Sequence, residues 1–134
     1  MTIDHVAIWT TSLEPLKDYY VKYFNGQANE KYTNKEKLFE SYFISFDSGA
    51  RLELMKIPDI LQNLNARIDK RHPGLTHLAF CVDSMEKVTE KARELENDGF
   101  KIIRQPRKTG DGYWEFETLD PDNNRIEVST MFVD

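Results

Sequence analysis

The chain has a single cysteine, Cys81, among 134 residues, so it can form no internal disulfide. Its apolar runs are far too short to span a bilayer, which excludes a membrane-spanning helix as the organising element. An excess of positive charge is also missing. Eighteen Lys and Arg stand against 23 Asp and Glu, a formal charge of −5, and without a basic patch nucleic acid is not an expected partner. The opening stretch MTIDHVAIW has no basic n-region, no long apolar core and no small-residue cleavage site. With the lone cysteine, this gives the expectation of a cytoplasmic protein. No phosphate-cradling glycine motif and no serine nucleophile elbow appears. Histidine is scarce too: there are three, and two of them occupy matching places.

What the chain does contain is a duplication. Setting Ile3 on Leu75, an offset of 72, places His5 on His77, Ala7 on Ala79, Ser12 on Ser84 and Glu14 on Glu86. ARLELMK (50–56) matches NRIEVST (124–130), with Glu53 on Glu127 at an offset of 74, and Gly26 matches Gly99 at 73. The small drift in offset implies only minor loop differences. A repeat of this length is half a domain used twice. With 40% hydrophobic residues, 134 residues suit one compact domain of two repeats, about 1–56 and 74–134. Residues 57–73 read as a linker containing a short helical piece.

Each half follows one pattern. Residues 3–10 are β-branched and aromatic over a short length, which predicts a strand. Ser12 reads as an N-cap, Pro15 suits an early helical turn, and Leu13, Leu16, Tyr20 and Phe24 have helical spacing up to a C′ glycine at Gly26. KLFESYFISF and ARLELMK form a hairpin around Asp-Ser-Gly. In the second half LTHLAFCV is a strand. Ser84 caps the helix MEKVTEKARELEND, which Gly99 ends. FKIIRQP, YWEFETLD and RIEVSTMF then follow as strands, with DPDNN as a turn.

Strand side chains alternate between faces, so His5 shares a face with Ala7 and Trp9, and His77 with Ala79 and Cys81. Glu53 and Glu127 point away from Leu52/Leu54 and Ile126/Val128. All four residues lie mid-strand, off the aliphatic face, at equivalent places. Taken singly, a mid-strand His is ordinarily a packed residue and a strand Glu a solvated one. As two matched, ligand-competent pairs, His5, Glu53, His77 and Glu127 compose a site for a divalent ion such as Zn²⁺, Ni²⁺, Fe²⁺, Mn²⁺ or Co²⁺. Such an ion leaves positions open for two neighbouring substrate oxygens. It acts there as a Lewis acid, and a glutamate moves a proton.

DHVAI, FNG, RLELM, GLTHLAFCVDS, GDGYWEFETLDPDNNRIEV and the duplication itself together resemble the vicinal oxygen chelate superfamily, the glyoxalase/bleomycin-resistance/dioxygenase group. The resemblance covers nearly the whole chain. It implies an α+β fold of paired βαβββ modules forming a cup-shaped, partly open barrel, often as a homodimer, with a small-molecule substrate in the cup. The order His5, Glu53, His77, Glu127 resembles the glyoxalase I-like branch. That resemblance implies Glu127 as the proton-moving base, with Glu53 a ligand and second base. The implied reaction is the isomerisation of a methylglyoxal hemithioacetal to a lactoyl thioester. The glutathione grip of that branch is missing, because Trp9 and Ile57 stand where Arg and Asn are common. A methylmalonyl-CoA-type epimerase or a metal-free drug-binding protein are the alternatives on the same fold.

Tyr113 and Trp114, in KTGDGYWEF, either contact substrate or belong to a plain hairpin turn. Arg104, Arg107 and Lys108 either hold an anionic substrate tail or form a solvated basic edge, and the edge is the stronger reading. Cys81 shares the cup face with His77 but has no base to activate it, so it reads as a small buried hydrophobe. His72 reads as a loop residue.

Overall fold

The computed structural model describes residues 1–63 and 69–134. The 57–73 linker with its expected helical piece includes 64–68, which lie outside the described residues. The chain divides into two compact units, Met1–Gln62 and Asn63–Asp134. No helix among the described residues is long and apolar enough to cross a membrane.

The first unit runs β1 (His5–Trp9), α1 (Leu13–Phe24), β2 (Gln27–Ala28), β3 (Tyr32–Asn34), β4 (Phe39–Ser45) and β5 (Arg51–Lys56). Its sheet has the order β1-β5-β4-β2, with β3 also on β4. β1 lies parallel to β5, and the other pairs are antiparallel. The second unit runs β6 (His77–Cys81), α2 (Met85–Asn97), β7 (Ile102–Lys108), β8 (Tyr113–Leu119) and β9 (Arg125–Met131), in the order β6-β9-β8-β7. The class is α+β, with two mixed sheets, one helix to each, and neither sheet closed into a barrel. The repeat persists in the register. His5 lies opposite Arg51 and Ala7 opposite Glu53, as His77 lies opposite Arg125 and Ala79 opposite Glu127.

The helices pack by their apolar spacing. α1 buries Leu13, Leu16, Tyr19, Tyr20 and Tyr23, while Phe24 stays half-buried, and the strands behind contribute Ile44, Leu52 and Leu54. α2 buries Val88, Ala92 and Leu95, and Phe116, Ile126 and Val128 fill the core of the same unit. Each such aliphatic or aromatic side chain contributes roughly 1.5–3 kcal/mol on burial. These residues use one face of each strand and leave the other face to the His/Glu positions.

Three local readings need correction. The first half has two short strands, β2 and β3, between α1 and β4, where the sequence pattern predicts none. Asn25, not Gly26, takes the left-handed conformation after α1 (φ 55°), a role Asn tolerates. Gly26 is required for another reason: a Cβ there would lie 2.5 Å from Ile44 Cγ2 and 3.0 Å from the Tyr20 carbonyl oxygen. Gly99 does supply the positive φ (90°) expected after α2. The two serines also differ. Ser84 Oγ accepts the Lys87 N–H at 3.2 Å, whereas the Ser12 side chain makes no capping bond. The expected result is that Ser84→Ala lowers stability by about 1 kcal/mol in urea unfolding, and that Ser12→Ala costs only a few tenths.

Candidate metal centre

β1 and β6 show the same alternation, with residues one, three and five exposed and two and four half-buried. This sets His5 and His77 on the open face of their strands. Glu53 and Glu127 project from the neighbouring parallel strand, held there because Leu52/Leu54 and Ile126/Val128 fill the opposite side. His5 Nε2 lies 3.5 Å from Glu53 Oε2, and His77 Nε2 lies 3.5 Å from Glu127 Oε2. In both pairs the histidine is 40% exposed and the glutamate about 15%. A separation of 3.5 Å is long for an N–H···O hydrogen bond. It is close to the spacing of about 3.0–3.4 Å between two donors on one ion with bonds of about 2.0–2.2 Å. The donors are imidazole nitrogen and carboxylate oxygen, which suit a divalent transition metal. Each pair thus offers two donors of the kind such an ion takes, and among the described residues the three side chains close enough to hold an ion together are Glu115, Glu117 and Glu127.

The surroundings of the two pairs differ. Beside His5, Asp4 Oδ2 receives His5 Nδ1 at 2.7 Å and Arg51 Nη2 at 2.7 Å. These hydrogen bonds, that from His5 first, hold the Asp4 carboxyl below its usual range. The Arg51 guanidinium lies 4.3 Å above the Phe43 ring, and His5 meets the same ring edge-on at 5.4 Å. Trp9, on the His5 face, packs edge-on against Phe39.

Beside His77 the neighbours are carboxylates. Glu115, Glu117 and Glu127 each bring one oxygen within 4.8 Å of the others. Burial, then the charge of Glu127 and a hydrogen bond to it, pushes the Glu115 carboxyl above its usual range, and Arg107 opposes that. Arg107 Nη2 donates to Glu115 at 3.1 Å, and Arg104 Nε lies 3.2 Å from Glu117.

Several expected site residues are placed otherwise. Arg104 and Arg107 are ion-paired rather than a free basic edge, because their strand lies directly beside the two glutamates. Lys108 sits 4.0 Å above the Phe132 ring. Cys81 is exposed, not buried, because it shares the open face with His77. Trp114 alternates onto the helix side of β8, where its indole N–H donates to Thr89 Oγ1 of α2 at 3.3 Å, so it does not share the face of Glu127. Tyr113 is partly exposed at the start of β8. His72 Nδ1–H donates to the Pro73 carbonyl at 2.9 Å, in keeping with a loop position.

Sequence reasoning missed Glu115 and Glu117. Their signal was the period of two in YWEFETL, with Phe116 and Thr118 as the buried alternates. The register sets Glu117 opposite Glu127 and Glu115 opposite Ser129. The corresponding residues of the first half are Phe43 and Ser41, opposite Glu53 and Met55. Matching of the repeats therefore could not reveal them.

Residues 2–128 match the family model described as Glyoxalase/Bleomycin resistance protein/Dioxygenase superfamily. A probable trivalent organoarsenical cleaving enzyme of Bacillus subtilis is 28% identical over 126 residues, covering 92% of this chain and 75% of the relative. The 4-hydroxyphenylpyruvate dioxygenase of Aspergillus fumigatus is 33% identical over 73 residues, 54% of this chain. The match spans only 15% of that relative's length. Among solved structures, a glyoxalase I mutant from Zea mays superposes with a TM-score of 0.79 at 19% identity, over 98% of this chain and 45% of that one. At that identity the likeness is one of fold.

Proposed function

The chain belongs to the glyoxalase/bleomycin resistance protein/dioxygenase superfamily, and from that premise we propose that it is a metal-dependent enzyme of the glyoxalase I type. The observation that carries the reading is the duplicated approach of a histidine Nε2 to a glutamate Oε2 at 3.5 Å, at the same register in both halves. His5 and Glu53 would hold the ion together with His77 and Glu127. A bound divalent ion supplies Lewis acidity toward two neighbouring oxygens of a substrate.

The side chains of this protein would do the rest. Glu127 takes a proton from the carbon beside the substrate carbonyl and returns it to the adjacent carbon, the net change of a hemithioacetal into a lactoyl thioester. Glu53 is the second carboxylate able to carry a proton. Glu115 feeds or withdraws a hydrogen bond at Glu127. The activities named for the compared proteins differ from one another, so the reaction is argued from the donor set. Trp9 and Ile57, where glutathione-gripping Arg and Asn are common, favour a thiol other than glutathione or a different substrate with an acidic C–H. An epimerase acting beside a carbonyl is therefore the second reading. A homodimer in the cytoplasm is the setting expected for either.

The test is to load metal-stripped protein with Ni²⁺, Zn²⁺, Mn²⁺, Fe²⁺ or Co²⁺ in turn. Each form is offered methylglyoxal hemithioacetals of several thiols, and α-proton exchange is followed in D₂O on acyl thioesters. Metal-dependent turnover of a hemithioacetal is the expected outcome. Exchange without hemithioacetal turnover would favour the epimerase. Neither activity, with tight binding of an apolar drug by the stripped protein, would point to a binding protein.

A further inference from the structure

The two His/Glu pairs are copies, but among the described residues their frames differ. In the first unit the residue before the histidine is an aspartate, and its single oxygen Oδ2 is 2.7 Å from both His5 Nδ1 and Arg51 Nη2. The backbone fixes the same corner, since the Arg51 N–H donates to the Asp4 carbonyl at 2.9 Å. Phe43 fills the remaining side: its ring is met edge-on by His5, at an interplanar angle of 86°, and is covered by the Arg51 guanidinium. In the second unit Thr76 precedes His77 and Glu117 stands where Phe43 does. Among the described residues the His77 ring makes no ion pair or hydrogen bond besides its approach to Glu127.

This difference has a chemical consequence. An ionised carboxylate only accepts hydrogen bonds, so the nitrogen 2.7 Å from Asp4 Oδ2 must be the one that carries the proton. In the neutral ring the lone pair then sits on Nε2, the nitrogen that faces Glu53. A transition metal binds that lone pair, and the hydrogen bond at the other ring nitrogen sets which atom offers it. We propose that Asp4, braced by Arg51 and Phe43, is a positioning residue that locks His5 as the Nδ1–H tautomer and so presents Nε2 as a ready metal donor. Among the described residues His77 has no such lock. The inference rests on the reading of His5 as a metal ligand, but the tautomer can be measured without any metal.

The experiment uses the full chain, stripped of metal and ¹⁵N-labelled, at a pH of about 8, where an unperturbed imidazole is neutral. Two-bond ¹H–¹⁵N spectra report which nitrogen of each histidine is protonated. The wild type is expected to show His5 as the Nδ1–H tautomer, and Asp4→Ala to move it toward Nε2–H while His77 stays unchanged. Ni²⁺ titration of the same samples is expected to show affinity falling about 10–100-fold in Asp4→Ala, with Asp4→Asn between the two. Asp4 is largely exposed, so neither variant disturbs the core. His5 found as Nε2–H or as imidazolium in the wild type would overturn the proposal, as would an Asp4→Ala spectrum identical to wild type. A wild type that binds no metal but shows the Asp4-dependent tautomer would instead defeat the metal-enzyme reading and leave the lock standing.

Discussion

Replacing Glu127 with glutamine is expected to reduce kcat of the metal-loaded protein by about 10²–10⁴-fold, the usual contribution of a positioned general base. The amide keeps the size of the side chain and an oxygen that can still ligate, so metal content should fall little and KM should change less than kcat. One feature singles out this carboxylate. Both glutamates lie 3.5 Å from a histidine, but Glu127 also has the Glu115 carboxyl beside it, which burial and the Glu127 charge push above its usual range. Glu53 has no carboxylate opposite it in the register, only Phe43. Glu53→Gln should therefore cost less in kcat than Glu127→Gln. Steady-state kinetics on both variants, with metal measured on the same samples, decides the matter. Equal activity of Glu127→Gln and wild type would remove Glu127 from the proton transfer.

The second large effect concerns the ion. Protein purified without chelator or affinity tag is expected to hold bound transition metal, and a His5→Ala/His77→Ala double variant to hold none above background. Imidazole is the stronger neutral donor of the set, and the two histidines belong to different halves. Removing both leaves only carboxylates, which prefer harder ions. Elemental analysis of the two proteins, with circular dichroism to confirm that both are folded, is the measurement. The histidines are partly exposed and remote from the buried aliphatic core, so the double variant should keep its fold. Metal retained in full by the variant would exclude the histidines as ligands.

Much of the fold could be read from the sequence because the chain states its pattern twice. His5, Ala7 and Glu53 could be set on His77, Ala79 and Glu127 without any coordinates, and the parallel pairing of β1 with β5 and of β6 with β9 preserves that correspondence residue by residue. The pairs were legible for the same reason. What was hidden lies where the halves have diverged. Glu115 and Glu117 have Ser41 and Phe43 as counterparts, and Asp4 has Thr76. Shared residue type also misled: Ser12 and Ser84 both occupy the N-cap position, yet only Ser84 bonds the helix. Cys81 was misjudged because residue type was weighed above strand phase. A cysteine is ordinarily buried, but the alternation that exposes His77 exposes the residue four places on as well. For Gly26 the need for a glycine was evident, but its cause was the nearness of Ile44, a contact distant in sequence.

The interleaving of Arg104 and Arg107 with Glu115, Glu117 and Glu127 bears on how a substrate would be drawn in. Arg104 stands against Glu117 and Arg107 against Glu115, so each guanidinium charge is matched by a carboxylate at close range. The chain as a whole is anionic, at −5, and the two arginines relieve that charge only locally. They would contribute little to long-range steering of an anionic substrate, and salt would alter encounter through the net charge of the whole chain rather than through this strip.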